Sequence, residues 1–302
     1  MSARVLVATD LSDASDEAVR QSHVFAGQHG TLTAVYVVPR LATTGLDPLF
    51  PAGALQATLA VPDLESRAMV AVQARVRSLT GREDVAVLAR VGVPEQEIIA
   101  AAASAEGIAP FDAIVVGSHG RTGLARMLLG SVAEKVARSA PCHVLVARHL
   151  PPDAQAVVVI ATDLTEASDV AFDIAIREAT QRSARLFAVH AIEDPHVAAY
   201  SELAAAFGAT ALGPPPEFER EVNGALASML ARKLAGSSVI GEAVVVNGNA
   251  ATALVRLSEQ VGASLLVVGT GKKSTLERLA IGSVAEKIVR HTHCSVLVAR
   301  HA

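Results

Sequence analysis

Aromatic residues are scarce in this sequence. Tryptophan is absent, and tyrosine and phenylalanine together make up 3% of the 302 residues. Since 51% of the residues are nevertheless hydrophobic, the core must be filled mainly by Ala, Val, Leu and Ile. A chain of this length is expected to form two domains of about 150 residues, each large enough to bury a core of its own.

An excess of positive charge is missing as well. The sequence has 26 Lys and Arg residues against 30 Asp and Glu residues, which gives a formal net charge of −4. Because a nucleic-acid-binding domain usually carries a basic patch, this balance argues against a nucleic-acid partner. No apolar run reaches the roughly 20 residues that a membrane-spanning helix requires, and no signal peptide precedes the first apolar segment at Arg4. We therefore expect a soluble, cytoplasmic protein without a membrane partner.

Cysteine occurs only twice, as Cys142 and Cys294, each just before the last apolar segment of its half of the chain. Disulfides are rare in the cytoplasm, so we expect no bridge. Both residues are interpreted as small buried side chains.

The sequence does contain a long internal repeat. Residues 130–148 and 282–300 lie 152 residues apart (282 − 130) and are identical at 13 of 19 positions. The interval is close to half the chain length, so the sequence predicts one domain present in two tandem copies. We place the copies at 1–149 and 154–302, joined by a short, stiff Pro-Pro linker.

Each copy has an apolar run that ends at a glycine, then a loop, then a Gly-Ser pair that opens a helical pattern. In the first copy these points are Gly117 and Gly130-Ser131. The apolar run is typical of a buried strand. We expect Ser131, and Ser283 in the second copy, to cap the helix that follows. The free N–H groups and the dipole at a helix start attract anions, so the pattern indicates a phosphate site.

Strand and helix patterns alternate along each copy as β-α-β-α-β-α-β-α-β, with the first helix predicted over Ala14–His29 and ended by Gly30. This alternation predicts a parallel sheet covered by helices on both faces. In such sheets ligands bind outside the carboxyl ends of the strands, where the strand order switches. Asp10 follows the first strand and Gly117 ends the fourth, so one crevice is expected to hold both.

The spacing Gly117-x2-Gly120-x9-Gly130-Ser131 resembles the nucleotide-binding signature of the universal stress protein family, G-x2-G-x9-G-[S/T]. The resemblance extends over nearly the whole chain, as two tandem family domains. It implies five-stranded, Rossmann-like domains of the adenine nucleotide alpha hydrolase-like type, and members of this subtype bind ATP. Mg²⁺ is a further candidate, as the counter-ion of ATP.

The resemblance also implies roles for residues of the first copy. Asp10 is expected at the adenine or ribose end, and the Val37 backbone at the adenine. Phosphate is expected at the amides and hydroxyl of the helix start and at the glycine loop. The residues assigned to the first site are Thr9, Asp10, Val37, Gly117, His119, Gly120, Arg121, Gly130, Ser131 and Val132. From the residues alone, the alternative for Asp10 is a helix-capping carboxylate, and the alternative for His119 and Arg121 is a position in a solvated loop.

The second copy departs from the signature because Lys272 replaces the second glycine. A non-glycine residue with positive φ costs roughly 1 kcal/mol, so the loop either bends differently or keeps the turn at that cost. The lysine ammonium either holds a phosphate or fills its site. The residues assigned to the second site are Thr162, Asp163, Ala191, Gly269, Lys272, Gly282, Ser283 and Val284. We therefore predict one occupied site and one weak or altered site.

Three functions are compatible with these patterns. The favoured one is a stress-response regulatory protein in which ATP sets conformation or partner binding, with the irregular segments 40–62 and 194–216 ordering on binding. The second is a slow ATP hydrolase or phosphotransferase, although no residue has a clear catalytic position. The third is a scaffold whose second domain binds a non-nucleotide ligand. No metal ligands are assigned.

Association follows from the final strands, which are apolar and nearly identical in the two copies. An exposed apolar edge strand promotes association. By resemblance, the two domains are expected to pair through these strands as an intramolecular pseudo-dimer, and two chains are candidates for a homodimer.

Overall fold

The computed structural model describes residues 3–39, 61–103, 110–119, 129–149, 156–193, 214–271 and 281–300. The chain divides into two compact units, Met1–His149 and Leu150–Ala302. The predicted segments at 40–62 and 194–216 fall largely outside the described residues.

Strands and helices alternate through the first unit. In chain order they are β1 (Arg4–Ala8), α1 (Asp13–Ala26), β2 (Thr31–Pro39), α2 (Val61–Thr80), β3 (Ala86–Gly92), α3 (Pro94–Ala102), β4 (Ala113–Gly117), α4 (Ser131–Ser139) and β5 (His143–Ala147).

The five strands of the first unit form a parallel sheet in the order β3-β2-β1-β4-β5. β1 and β4 are the central strands, and their apolar runs read as continuous stretches because both faces are covered. Val5, Leu6 and Val7 of β1 are completely buried. The direction in which the chain adds strands reverses between β1 and β4, so this is the switch point at which an open α/β sheet has its crevice.

The second unit repeats this plan. Its elements are β6 (Val157–Ala161), a 3-10 turn (Glu166–Ser168), α5 (Asp169–Gln181), β7 (Arg185–Ile192), α6 (Pro216–Lys233), β8 (Gly241–Asn247), α7 (Ala250–Gln260), β9 (Leu265–Gly269), α8 (Ser283–His291) and β10 (Ser295–Ala299). Its parallel strands lie in the order β8-β7-β6-β9-β10. The predicted α/β class with two five-stranded parallel sheets is thus confirmed. Pairing through the final strands stays a prediction, as does a homodimer.

The end of α1 was predicted wrongly. The helix stops at Ala26, and Gly27 forms its C-cap with φ of 67°, donating its N–H to the carbonyls of His23 and Val24. A glycine adopts this left-handed conformation without steric cost. Gly30 has a different reason to be glycine, because a Cβ atom there would lie 2.1 Å from the carbonyl oxygen of Ala26.

Ser131 and Ser283 are not N-caps either. The N-cap positions are Gly130 and Gly282, both with extended backbone, and no side chain caps either helix. Each serine is the first helical residue. Serine prefers N-cap positions, but glycine holds this position in both helices. Glycine is favoured there because its backbone lies close to another part of the chain, as described below.

Cys142 is half-buried and Cys294 is buried, and neither forms a disulfide. Every helix among the described residues is too short or too polar to cross a membrane.

Candidate functional site

A cleft of about 310 Å³ opens in the first unit at the carboxyl ends of β1, β2 and β4. It contains every described residue that the sequence assigned to the first site. These residues are Thr9, Asp10, Val37, Gly117, His119, Gly130, Ser131 and Val132. Gly120 and Arg121 lie outside the described residues.

The turn after β1 forms the floor of this cleft. The Ser12 amide donates to Asp10 Oδ1 at 3.1 Å, and the Ser12 hydroxyl donates to the same oxygen at 2.5 Å. Ser12 itself caps α1 by accepting from the Ser15 amide. Asp10 is therefore not the capping residue, and its carboxylate holds the capping residue in place.

Leu11 lies in the left-handed region with φ of 63°. This conformation costs a leucine about 1–2 kcal/mol. The Leu11 amide donates to Thr9 Oγ1 at 3.1 Å, and Thr9 Oγ1 lies 3.0 Å from Ser15 Oγ. The hydroxyls of Thr9 and Ser15 are buried, so this network fixes the turn and offsets its strain.

The opposite wall is the beginning of α4. The Gly130 amide donates to the carbonyl of Ser118 at 2.7 Å, and a Cβ atom on Gly130 would lie 3.3 Å from that same oxygen. Glycine thus brings the helix start against the segment that leaves β4. The first amides of a helix have no partner within it, and Ser131 and Val132 line the cleft, so this wall presents an anion-binding surface.

Gly117 is packed against the protein itself. A Cβ atom there would lie 2.7 Å from the carbonyl oxygen of Ala14 in the first turn of α1. The sequence interpretation gave this glycine to an approaching ligand. The structure adds a second reason for glycine, which is the contact between the end of β4 and α1.

The remaining wall of the first cleft is largely apolar. Val35 and Val37 of β2, with Pro94 and Ile98 of α3, line it, and Tyr36 lies between the two valines. An apolar wall facing a helix N-terminus suits a ligand with a flat apolar group at one end and an anion at the other. Pro94 and Ile98 were missed by the sequence interpretation because only the sheet register brings α3 beside β2.

The second unit has a larger cleft of about 560 Å³ at the equivalent place. The described residues that the sequence assigned to the second site all line it. They are Thr162, Asp163, Ala191, Gly269, Gly282, Ser283 and Val284. Lys272 lies outside the described residues.

The turn after β6 repeats the turn after β1. Leu164 has φ of 59°, and its amide donates to Thr162 Oγ1 at 3.0 Å. Asp163 Oδ1 accepts from the Thr165 hydroxyl and the Ser168 hydroxyl, both at 2.7 Å. Burial raises the pKa of Asp163, but the hydrogen bonds from Thr165 and Ser168 outweigh it and hold the pKa below its ordinary value. Asp163 is therefore a carboxylate at neutral pH.

Two residues of the second cleft were missed from sequence. Glu193, directly after β7, accepts from the Ala250 amide at 2.5 Å, and Phe218 of α6 lines the cleft with 47% of its surface exposed. Glu193 directly precedes the irregular segment 194–216, and Phe218 lies close after it, so the sequence pattern placed neither residue at the cleft. The internal repeat could have pointed to Glu193, because it aligns this residue with Pro39 of the first copy.

In the part of the chain that the structure describes, no group of three or more His, Cys, Asp or Glu side chains is placed to hold a metal ion.

Comparison with known proteins gives a consistent result for both copies. The model of the universal stress protein family matches residues 1–148 and 156–300. A curated universal stress protein of Mycobacterium tuberculosis is 33% identical over 198 residues, an alignment that covers 63% of this chain and 62% of that protein. The chain thus spans about three fifths of the length of this relative.

Two solved structures share the fold over almost their full length. A universal stress protein of Archaeoglobus fulgidus superposes with a TM-score of 0.66 at 18% identity, with complete coverage of both chains. A putative universal stress protein of Pseudomonas aeruginosa superposes with a TM-score of 0.63 at 19% identity, covering 98% of this chain and 92% of the other. At these identities the two structures bear on the fold alone.

Proposed function

Because this chain belongs to the universal stress protein family, we propose that it is a stress-response regulatory protein that binds ATP in the cleft of its first unit. The observation that carries the proposal is the convergence of eight sequence-assigned residues on that one cleft. They come from β1, β2, β4 and α4, and nothing in the repeat pattern alone requires them to meet.

The walls of the first cleft match the parts of ATP. Val37, Pro94 and Ile98 offer an apolar surface for the adenine ring. Asp10 offers carboxylate oxygens to hydroxyl donors of the ribose. The N-terminus of α4, at Ser131 and Val132, offers amides to the phosphates. The volume of about 310 Å³ lies at the lower end of the usual range for small-molecule sites.

Mg²⁺ would be held mainly by the phosphates. Magnesium sites commonly use one or two protein carboxylates together with phosphate oxygens and water. Asp10 is the described carboxylate that lines the first cleft, and its position suits such a supporting role. The chemistry that the ion supplies is neutralisation of the phosphate charge.

We propose that ATP binds more weakly in the second unit. Glu193 lines the second cleft, and its carboxylate repels the unprotonated ring nitrogens of adenine. Lys272 stands at the position of the second signature glycine, so a residue without the conformational freedom of glycine occupies that point of the signature. Regulation would then follow from ATP in the first cleft, which changes the conformation or the partner affinity of the chain.

The test is to denature the purified protein and count the adenine nucleotides released per chain, then to measure ATP binding by calorimetry. Ser131→Glu places a carboxylate at the first helical position, where it favours the helix but repels phosphate. Two unit charges 4 Å apart interact by about 4 kcal/mol near a protein surface, so at least about a tenfold loss of ATP affinity is expected. Ser78→Glu, at an exposed position of α2, is the control for net charge.

One nucleotide per chain, with affinity lost in Ser131→Glu and kept in Ser78→Glu, supports the proposal. Two equally tight ATP molecules per chain contradict the asymmetry. Unchanged binding in Ser131→Glu contradicts the assigned cleft. Steady ATP turnover at or above about 1 per second, an ordinary enzyme rate, would replace the regulatory proposal with an enzymatic one.

A further inference from the structure

The two clefts differ along one wall in a correlated way. The sheet registers pair Thr31 with Arg4 in the first unit and Arg185 with Val157 in the second. Counting along the aligned strands, Pro39 at the end of β2 corresponds to Glu193 after β7. The neighbouring helices α3 and α7 begin at Pro94 and Ala250, respectively. Two prolines in one unit are thus replaced by an acid and an alanine in the other.

The replacements in the second unit form a specific contact. Pro94 has no N–H to donate, whereas the Ala250 amide donates to Glu193 Oε1 at 2.5 Å. This bond holds the Glu193 carboxylate against the start of α7, on the wall of the second cleft. A carboxylate has about four acceptor positions, so one amide leaves most of its capacity for donors on a ligand.

An aromatic side chain lines the same cleft as this carboxylate. Phe218 lines the second cleft with 47% of its surface exposed, in a chain that has only 7 phenylalanines. Asn247 Nδ2 donates to Glu219 Oε1 at 3.5 Å, which ties the first turn of α6 to the end of β8. The exposed ring of Phe218 lies on the cleft wall, where it offers a surface on which a planar base can stack.

The polar groups at this end accept hydrogen bonds. Among the described residues that line the second cleft, the charged side chains are Asp163 and Glu193, and there is no Lys or Arg. His190 Nδ1 lies 2.9 Å from the Thr162 carbonyl oxygen, so it donates there and the hydrogen on that nitrogen is used within the protein. A base that fits such a wall must present N–H donors on its edge.

Guanine and adenine differ in this respect. The edge of guanine carries adjacent N1–H and N2–H₂ donors, which suit one carboxylate, whereas the edge of adenine carries one amino donor beside an unprotonated N1 that a carboxylate repels. We infer that the second cleft binds a guanine nucleotide in preference to an adenine nucleotide, with Glu193 accepting from the base edge. The inference rests on the proposed function, in which the N-terminus of α8 at Ser283 receives the phosphates.

The experiment compares three nucleotides by titration calorimetry on the full chain carrying Ser131→Glu, so that nucleotide binding in the first cleft is weakened and the second cleft is observed in preference. GTP, ITP and ATP are the probes. ITP is GTP without the 2-amino group, so the ratio of the GTP affinity to the ITP affinity measures the contribution of that one hydrogen-bond donor. A hydrogen bond to a charged group is worth about 1.5–3 kcal/mol, which corresponds to a GTP affinity about tenfold or more above that of ITP.

Glu193→Gln and Phe218→Ala separate the two contributions. Both side chains are exposed, so the fold is retained, as melting curves would check. With Glu193→Gln the GTP-to-ITP ratio should fall towards 1. With Phe218→Ala both affinities should fall by about tenfold while their ratio is kept. Glu221→Gln, on an exposed face of α6, makes the same chemical change away from the cleft and should alter neither.

One GTP per chain, bound more tightly than ATP, with the ratio lost only in Glu193→Gln, supports the inference. ATP binding as tightly as GTP, or an unchanged ratio in Glu193→Gln, overturns the base preference. Absence of GTP binding to the Ser131→Glu chain also overturns it. The proposed function survives each of these results if the unmodified chain binds ATP and Ser131→Glu removes that binding.

Discussion

Replacing Gly117 by alanine should destabilise the first unit, and the structure gives the size of the effect. The new Cβ atom would lie 2.7 Å from the Ala14 carbonyl oxygen and 3.3 Å from the Ser15 amide nitrogen. Both atoms belong to the backbone of α1, so relief requires that the helix move away from β4. Overpacking of this kind costs about 1–3 kcal/mol.

The repeat supplies a matched control at Gly269, the equivalent position of the second unit. Among the described residues, a Cβ atom there meets nothing closer than the Gly271 amide nitrogen at 3.9 Å. Because the backbone of Gly269 is outside the left-handed region, alanine fits without strain. Removing a glycine from the unfolded chain at such a position stabilises a protein by about 0.4–1 kcal/mol.

Differential scanning calorimetry of both full-length variants measures the difference. A change of 1 kcal/mol moves the melting temperature of a unit of this size by about 2–4 °C. Hydrogen exchange of peptides from β4 and β9 assigns each change to its unit. Equal losses in the two variants would refute the packing argument. If Gly117→Ala lost nucleotide but kept its melting temperature, the glycine would serve ligand approach alone.

Three further outcomes follow from the described contacts. Glu178 is fully buried and pairs with Arg182 at 3.0 Å and with Arg177 at 3.5 Å, so Arg182→Ala should cost at most about 3–5 kcal/mol by leaving the buried charge only the longer contact, and adding Glu178→Met should recover much of the loss in calorimetry. Ser183 is exposed with φ of 50°, so Ser183→Gly should raise the free energy of unfolding by about 1 kcal/mol, whereas Ser139→Gly within α4 should lower it. Because the pKa of Asp163 is lowered in the fold, its contribution is complete above the unfolded carboxyl pKa of about 4 and is lost as the pH falls through the folded value; Asp163→Asn should flatten that part of the melting profile.

Much of the fold was predictable because the pattern of buried strands is strong and occurs twice. The alternation of strands and helices that was predicted for each copy is present in both units. Helix ends were less predictable, as α1 shows. Gly27 and Gly30 both follow the apolar pattern, and only the three-dimensional path decides which one caps the helix and which one packs against Ala26 and Ala3.

The candidate site was predictable where it depends on strand ends and was not where it depends on distant neighbours. Asp10 and Gly117 could be assigned to one crevice because parallel strands bring their carboxyl ends to one edge. The bond between Glu193 and Ala250 joins residues 57 apart in the chain. No local pattern predicts it, since it depends on the position of α7 relative to β7.

The first cleft draws its walls from the stretch between Ala8 and Ala133, and this has a consequence for synthesis. The cleft is complete once β5 has left the ribosome, while the second unit is still being made. At about 5–20 residues per second, the remaining half of the chain takes on the order of 10–30 s. A nucleotide that binds only the folded unit stabilises it by mass action, so the ATP proposed for the first cleft would hold the first unit folded before the second exists.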